Sequence, residues 1–152
     1  MSGDRFGHYE LGELIGRGGM GEVYRAYDTR RGRVVALKRL SADVAHDPAY
    51  HARFRRESGM VARLREPHVI PIHDFGEIDG RLFLDMRLVE GTDLGTVIRR
   101  NGPLDPARAV DILGQVARAL DAAHRDDLVH RDVKPSNVLI DHEGGDPFVY
   151  LI

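Results

Sequence analysis

The sequence predicts an α+β fold, with a small strand-rich part followed by a mainly helical part. Three observations predict it. Residues 9–40 alternate strand-like stretches with glycine-bearing turns. A single helical pattern at 48–65 separates those strands from two more. From residue 94 onward, apolar residues recur at helical spacing. The 152 residues suit one medium domain or two small lobes. An apolar share of 42% with 30% charged residues is a globular composition.

The elements follow in order. Tyr9 to Ile15 reads as a strand, with Leu11 and Ile15 apolar and Glu10 and Glu13 polar. Gly16 to Gly21 is a glycine turn, and Glu22 to Asp28 is strand-prone again through Val23, Tyr24 and Tyr27. Arg30 to Arg33, with Gly32, reads as a hairpin turn into a third strand, Val34 to Leu40. Pro48 to Arg65 reads as a helix with Phe54, Val61 and Leu64 at helical spacing, Asp47 as N-cap and Pro48 at the first position. Two strands follow near Val69 to Phe75 and Leu82 to Leu88, joined by a turn at Asp79-Gly80. These make five strands and one helix. Leu94 to Arg100 is a short helix. Asp105 and Pro106 open a longer one to about Arg125, with Ala109, Leu113, Val116, Leu120 and Ala123 as its apolar stripe. A polar loop, His130 to Asn137, leads to short strands at Val138 to Ile140 and Phe148 to Ile152.

Composition excludes several function classes. A net charge of -2 gives no basic field for nucleic acid. Cysteine is absent, so disulfides, thiolate metal sites and a cysteine nucleophile are excluded. The longest apolar run, Phe148 to Ile152, is far shorter than the ~20 residues of a membrane span. Met1 to His8 is polar and lacks the apolar stretch of a signal peptide. A cytoplasmic location is expected, although a longer parent protein can carry a membrane anchor. Of 22 basic residues only Lys38 and Lys134 are lysines. Lysine is a compact point charge and arginine a wide fork, so these two positions invite a functional reading beside that of chance.

Three constellations carry chemistry. The glycine turn reads Gly16-Arg17-Gly18-Gly19-Met20-Gly21-Glu22-Val23. A dinucleotide fold needs a helix after the glycines, and a strand follows here. The Walker pattern is missing. What remains is a flap whose backbone N–H groups cover phosphates, or an ordinary glycine-rich hairpin. Lys38 lies in Val35-Ala36-Leu37-Lys38, where an unpaired ammonium is costly. Glu57 falls within the apolar stripe of the first helix and is its candidate partner. The pair is either a ligand-orienting device or a structural ion pair. The third constellation is His130-Arg131-Asp132-Val133-Lys134-Pro135-Ser136-Asn137. Asp132 can accept a hydroxyl proton, Lys134 can neutralise a phosphoryl oxygen, and Asn137 can hold a metal. The alternative is a charged surface loop.

Taken in order, these motifs resemble the N-terminal part of the catalytic domain of a eukaryotic-type serine/threonine protein kinase. The Arg-rich usage and the stretches 67–80 and 85–94 are similar to actinobacterial receptor-type kinases. The resemblance implies a protein-kinase-like fold: an N-terminal tail at 1–8, a small lobe at 9–89 and the start of a large lobe at 90–152. It implies ATP and Mg2+ as cofactors and protein serine or threonine as substrate. Lys38 would hold the α- and β-phosphates, oriented by Glu57. The turn glycines Gly16, Gly18 and Gly21 would cover the nucleotide. Asp132 would be the catalytic base, Lys134 would contact the γ-phosphate, and Asn137 would bind magnesium. Ile15, Val23, Ala36, Met86 and Leu139 would sandwich the adenine, with Met86 as gatekeeper. Main-chain groups of Arg87 and Val89 would bind the adenine edge, and Asp93 would reach the ribose. His130 and Val61 would belong to the regulatory spine.

The resemblance stops before the Asp-Phe-Gly segment whose Asp is the main magnesium ligand of the family. A chain of these residues alone is therefore expected to be catalytically incompetent, and the protein-docking surface to be largely missing. The alternative is a truncated pseudokinase that binds nucleotide or forms a homodimer through its small lobe. A third reading is a decayed gene product without a stable fold.

Overall fold

The computed structural model of the chain describes residues 3–18, 20–141 and 147–152. Gly19 of the glycine turn lies outside the described residues. The chain divides into two compact units. One holds residues up to 62 together with 71–88, and the other holds 63–70 and 89–152.

The first unit is built on a six-stranded antiparallel sheet. Its strands are β1 (Arg5–Phe6), β2 (Tyr9–Gly18), β3 (Gly21–Asp28), β4 (Arg33–Leu40), β5 (Ile72–Ile78) and β6 (Arg81–Met86), in the order β1-β2-β3-β4-β6-β5. Alternation decides which face is buried. Tyr9 and Leu11 on β2, Ala26 on β3, Val35 and Leu37 on β4 and Phe83 on β6 pack with Phe6 of β1 into one apolar cluster. The Asp79-Gly80 turn forms as expected, with both residues at positive φ. Helix α1 (Pro48–Arg63) starts where expected, and Asp47 Oδ1 accepts the N–H groups of Ala49 and Tyr50. Arg81 donates from Nε and Nη2 to the Leu40 carbonyl, at 3.1 and 2.8 Å, and ties the start of β6 to the end of β4.

The second unit contains β7 (Gly91–Asp93), α2 (Leu94–Asn101), α3 (Pro106–Arg125), β8 (Val138–Asp141) and β9 (Phe148–Leu151). The three strands form a sheet in the order β7-β8-β9. Its core joins Leu94 and Val97 of α2, Ile112, Val116 and Ala119 of α3, and Val138, Ile140, Val149 and Leu151 of the strands. Buried Gln115 spans the edge of β9: its Oε1 accepts the Val149 N–H at 2.9 Å and its Nε2 donates to the Pro147 carbonyl at 3.1 Å. A side-chain amide thus replaces a neighbouring strand.

Four expectations need correction. The stripe of α3 is rotated by one residue: Ile112, Gln115, Val116 and Ala119 are buried, while Leu113 is 63% exposed. Apolar residues lie on more than one side of this helix, and packing on β8 and β9 selects the face. The strand expected at Val69 to Phe75 runs from Ile72 to Ile78. Pro71 lacks the ladder N–H, and Val69 instead bridges to Leu151. Residues 16–18 and 21 are strand ends, so the glycine turn is narrower than expected. Finally, Arg5–Phe6 adds a sixth strand where the polar N-terminus offered only a tail.

Candidate functional site

The first unit carries ten of the sequence-derived site residues: Ile15, Gly16, Gly18, Gly21, Val23, Ala36, Lys38, Glu57, Met86 and Arg87. Strand register puts five of them on one sheet face. Gly16 pairs with Val23, Val23 with Lys38, and Lys38 with Leu84. In the next row of the same face, Arg25 pairs with Ala36 and Ala36 with Met86. Residues two apart on a strand share a face, so Val23, Ala36, Lys38 and Met86 line one surface with Gly16 at its edge. Ile15 falls at a register irregularity of β2 and is 47% exposed. Val35, Ala36 and Leu37 are buried as expected, and Lys38 itself is half-buried. Glu57 is half-buried on α1. The main chain of Arg87 donates its N–H to the Pro71 carbonyl at 2.9 Å.

The glycines of the flap have different surroundings. A Cβ on Gly18 would meet nothing within 4 Å. One on Gly21, at φ 150°, would lie 2.3 Å from the Arg39 carbonyl oxygen and 2.9 Å from Leu40 Cα. Gly21 is where the flap strand presses on the backbone of the Lys38 strand.

A polar cluster at the base of the flap escaped the sequence reading. The Tyr24 hydroxyl donates to Glu22 Oε2, Arg39 Nη2 reaches the same oxygen at 3.3 Å, and Arg17 Nη2 reaches Oε1 at 3.1 Å. These bonds, that from Tyr24 foremost, hold the Glu22 carboxyl below its ordinary range. The Arg39 guanidinium also covers the rings of Tyr24 and Phe6, at 5.2 and 5.7 Å. Only the register of β3 on β4, which sets Glu22 opposite Arg39, could have revealed it.

The second unit carries Val89, Asp93, Asp132, Lys134, Asn137 and Leu139. Three of them converge. Asn137 Nδ2 donates to the Asp132 carbonyl at 2.8 Å and to its Oδ2 at 3.2 Å, and Lys134 Nζ lies 3.4 Å from the same Oδ2. A short 3-10 turn, Pro135–Asn137, closes the loop through the Asn137 N–H to the Lys134 carbonyl. His130 anchors its start. Its Nδ1 accepts the Asp132 N–H at 3.1 Å, so its Nε2 carries the proton and donates to the Ile152 carbonyl at 2.6 Å. Arg131 is left-handed, at φ 68°. Such a residue costs about 1–3 kcal/mol and is typical of functional loops. The side chains of Asp132 and Lys134 are 64% and 53% exposed, open to a ligand. Leu139 is half-buried on β8.

Asp93 is placed as a helix cap. Its Oδ1 accepts the Thr96 N–H at 3.0 Å and its Oδ2 accepts the Thr96 hydroxyl at 2.7 Å. Partial burial pushes this carboxyl up, but the bonds from Thr96 outweigh it and hold the acid below its usual range. Among the described residues, no three histidine or acidic side chains converge as a metal cage. Nor is any described helix long and apolar enough to cross a membrane.

The protein kinase domain model matches residues 9–150. The chain belongs to the protein kinase family. The kinase chain is 55% identical over 150 residues to the serine/threonine-protein kinases PknH and PknE of Mycobacterium tuberculosis strain H37Rv. Each alignment covers 99% of this chain, but only 24% of PknH and 26% of PknE. The chain thus spans about a quarter of the length of these curated relatives. The crystal structure of the M. tuberculosis PknI kinase domain superposes with a TM-score of 0.86 at 38% identity, over 99% of this chain and 61% of that one. The fold is therefore protein-kinase-like, with a small lobe and part of a large lobe. The four strands that share the Lys38 face and the loop at 130–137 belong to that kinase fold.

Proposed function

We propose that the kinase chain binds ATP with magnesium, and that the protein to which it belongs transfers the γ-phosphoryl group to serine or threonine of other proteins. The observation that carries this reading is the convergence of Asp132, Lys134 and Asn137 within 3.4 Å in an exposed loop. A charged surface loop has no need of such an arrangement, whereas phosphoryl transfer needs a base, a cation and a metal-holding amide together.

The donor set fits the nucleotide and its metal. The Lys38 ammonium holds the α- and β-phosphates from the sheet face, and Glu57 orients it. The Gly18 backbone approaches the phosphates with no side chain in the way. Val23, Ala36 and Met86 offer the adenine an apolar face on the sheet of the first unit, with Ile15 on the neighbouring strand. Because the Arg87 N–H is committed to Pro71, the adenine edge is met by the Arg87 carbonyl and by the main chain of Val89. Asp93 caps α2 through Thr96, and a carboxylate retains further lone pairs for a ribose hydroxyl. With Nδ2 of Asn137 turned to Asp132, its Oδ1 is the end that holds magnesium. Bound magnesium supplies neutralisation of the phosphate oxygens. Asp132 takes the proton of the attacking hydroxyl, and Lys134 balances charge on the γ-phosphoryl group.

The test is phosphotransfer from radiolabelled ATP to a protein acceptor by the full-length parent protein. Lys38→Met and Asp132→Asn are each expected to lower the rate by about 100-fold or more. Either variant working at the parental rate overturns its assignment.

A further inference from the structure

We propose that residues 3–9 are a positioning strap for the nucleotide site: they grip strand β6 from the back of the sheet and so fix Met86 on the front. The inference rests on the reading of Met86 and the Lys38 face as the nucleotide surface. Residues 3–8 lie outside the span matched by the protein kinase domain, which starts at residue 9.

The strap is firmly seated. Phe6 is 4% exposed, and its ring meets Phe83 of β6 edge-on at 5.9 Å. The Asp4 carbonyl accepts the Leu11 N–H, and the His8 carbonyl accepts both the N–H and the hydroxyl of Thr29. Tyr9 is wholly buried and meets the same Phe83 ring at 5.7 Å. Its hydroxyl donates to Asp85 Oδ2 at 2.8 Å. Burial, then the bond to Asp85 and its charge, raise the Tyr9 hydroxyl far above its usual pKa, so it stays a donor.

Asp85 makes this grip matter for the site. It is wholly buried, and its other oxygen lies 3.1 Å from His73 Nδ1. A buried carboxylate is tolerated only while donors hold it. Phe83 and Asp85 alternate with Leu84 and Met86 along β6, so the strap holds one face of the strand while the other faces Lys38 and Ala36. Met86 is one peptide bond from Asp85. When the Tyr9 donor is lost, the carboxylate must move toward water or new partners, and the strand end carrying Met86 moves with it.

The test is calorimetric titration of MgATP into the chain, at a temperature where circular dichroism shows every variant fully folded. Tyr9→Phe removes one oxygen and keeps the ring. Phe6→Leu is the second variant and keeps apolar bulk. Both are expected to weaken MgATP binding about fivefold or more, the usual lower range for coupled sites. Arg5→Ala, on the same strap but with its side chain 75% exposed, is expected to bind as the parent does. If the parent binds MgATP and both folded variants bind within twofold of it, the strap inference is overturned alone. If the parent binds no MgATP, the nucleotide reading falls and takes the inference with it.

Discussion

Gly21 tests whether the flap is held by backbone contact. Gly21→Ala would place a Cβ 2.3 Å from the Arg39 carbonyl oxygen and 2.9 Å from Leu40 Cα, both rigid strand backbone. Neither can rotate away, so β3 must lift from β4. Forcing a methyl into packed structure costs about 1–3 kcal/mol. Holding alanine at φ 150° adds roughly another 1 kcal/mol. The sum is about 3 kcal/mol. For a chain of this size each kcal/mol lowers Tm by about 2–4 °C, so the expected fall is about 6–12 °C. Gly18→Ala is the control from the same motif, because its Cβ would meet nothing within 4 Å. Thermal unfolding followed by circular dichroism, without nucleotide, reads both. Gly18→Ala should melt within about 1 °C of the parent and show its effect only in a weaker MgATP affinity. A Gly21→Ala variant that melts with the parent would refute the steric argument, since no side chain could have absorbed the clash.

Three further outcomes are expected. Gln115→Leu keeps bulk but leaves the buried Val149 N–H without an acceptor; it should cost about 2 kcal/mol and lower Tm by roughly 6 °C in a thermal melt. Asp93→Ala removes the cap on α2 and should cost about 1 kcal/mol at pH 7, read from urea unfolding. Because the folded-state acid titrates below its usual range, this stabilisation is complete above the ordinary Asp pKa of about 3.9; the gap between parent and variant should close as pH falls through the lower folded value. Arg39→Leu should raise the Glu22 carboxyl toward its ordinary value, observable by NMR titration, because a donor to Oε2 is lost.

Part of the candidate site was readable because it is local. Asp132, Lys134 and Asn137 fall within six residues, and a short turn suffices to bring them together. The strand carrying Lys38 was readable from three consecutive apolar residues, and the hairpin at Asp79-Gly80 from two residues that tolerate positive φ. The helix starts at Asp47 and Asp105 were legible from the acid–proline pair, although Asp105 makes no side-chain cap bond. The role of Asp93 was not legible in the same way, because a cap and a ribose contact ask for the same residue type.

What the sequence by itself determined is the order of most elements, which depends on propensity, turn chemistry and spacing along the chain. Its ordered motifs, by resemblance, gave the family and the candidate residues of the loop and the glycine turn. Tertiary structure alone decided three things. It chose the face of α3, where several apolar residues compete and the sheet admits one set. It also recruited the polar N-terminus, because Phe6 and Tyr9 find Phe83 and Asp85 only after the chain has folded back through four strands. And it separated Gly18 from Gly21, identical in sequence yet one open to space and the other pressed on a backbone nearly twenty residues away. In each case the deciding partner is distant in sequence, and no local pattern encodes a contact whose other half lies elsewhere in the chain.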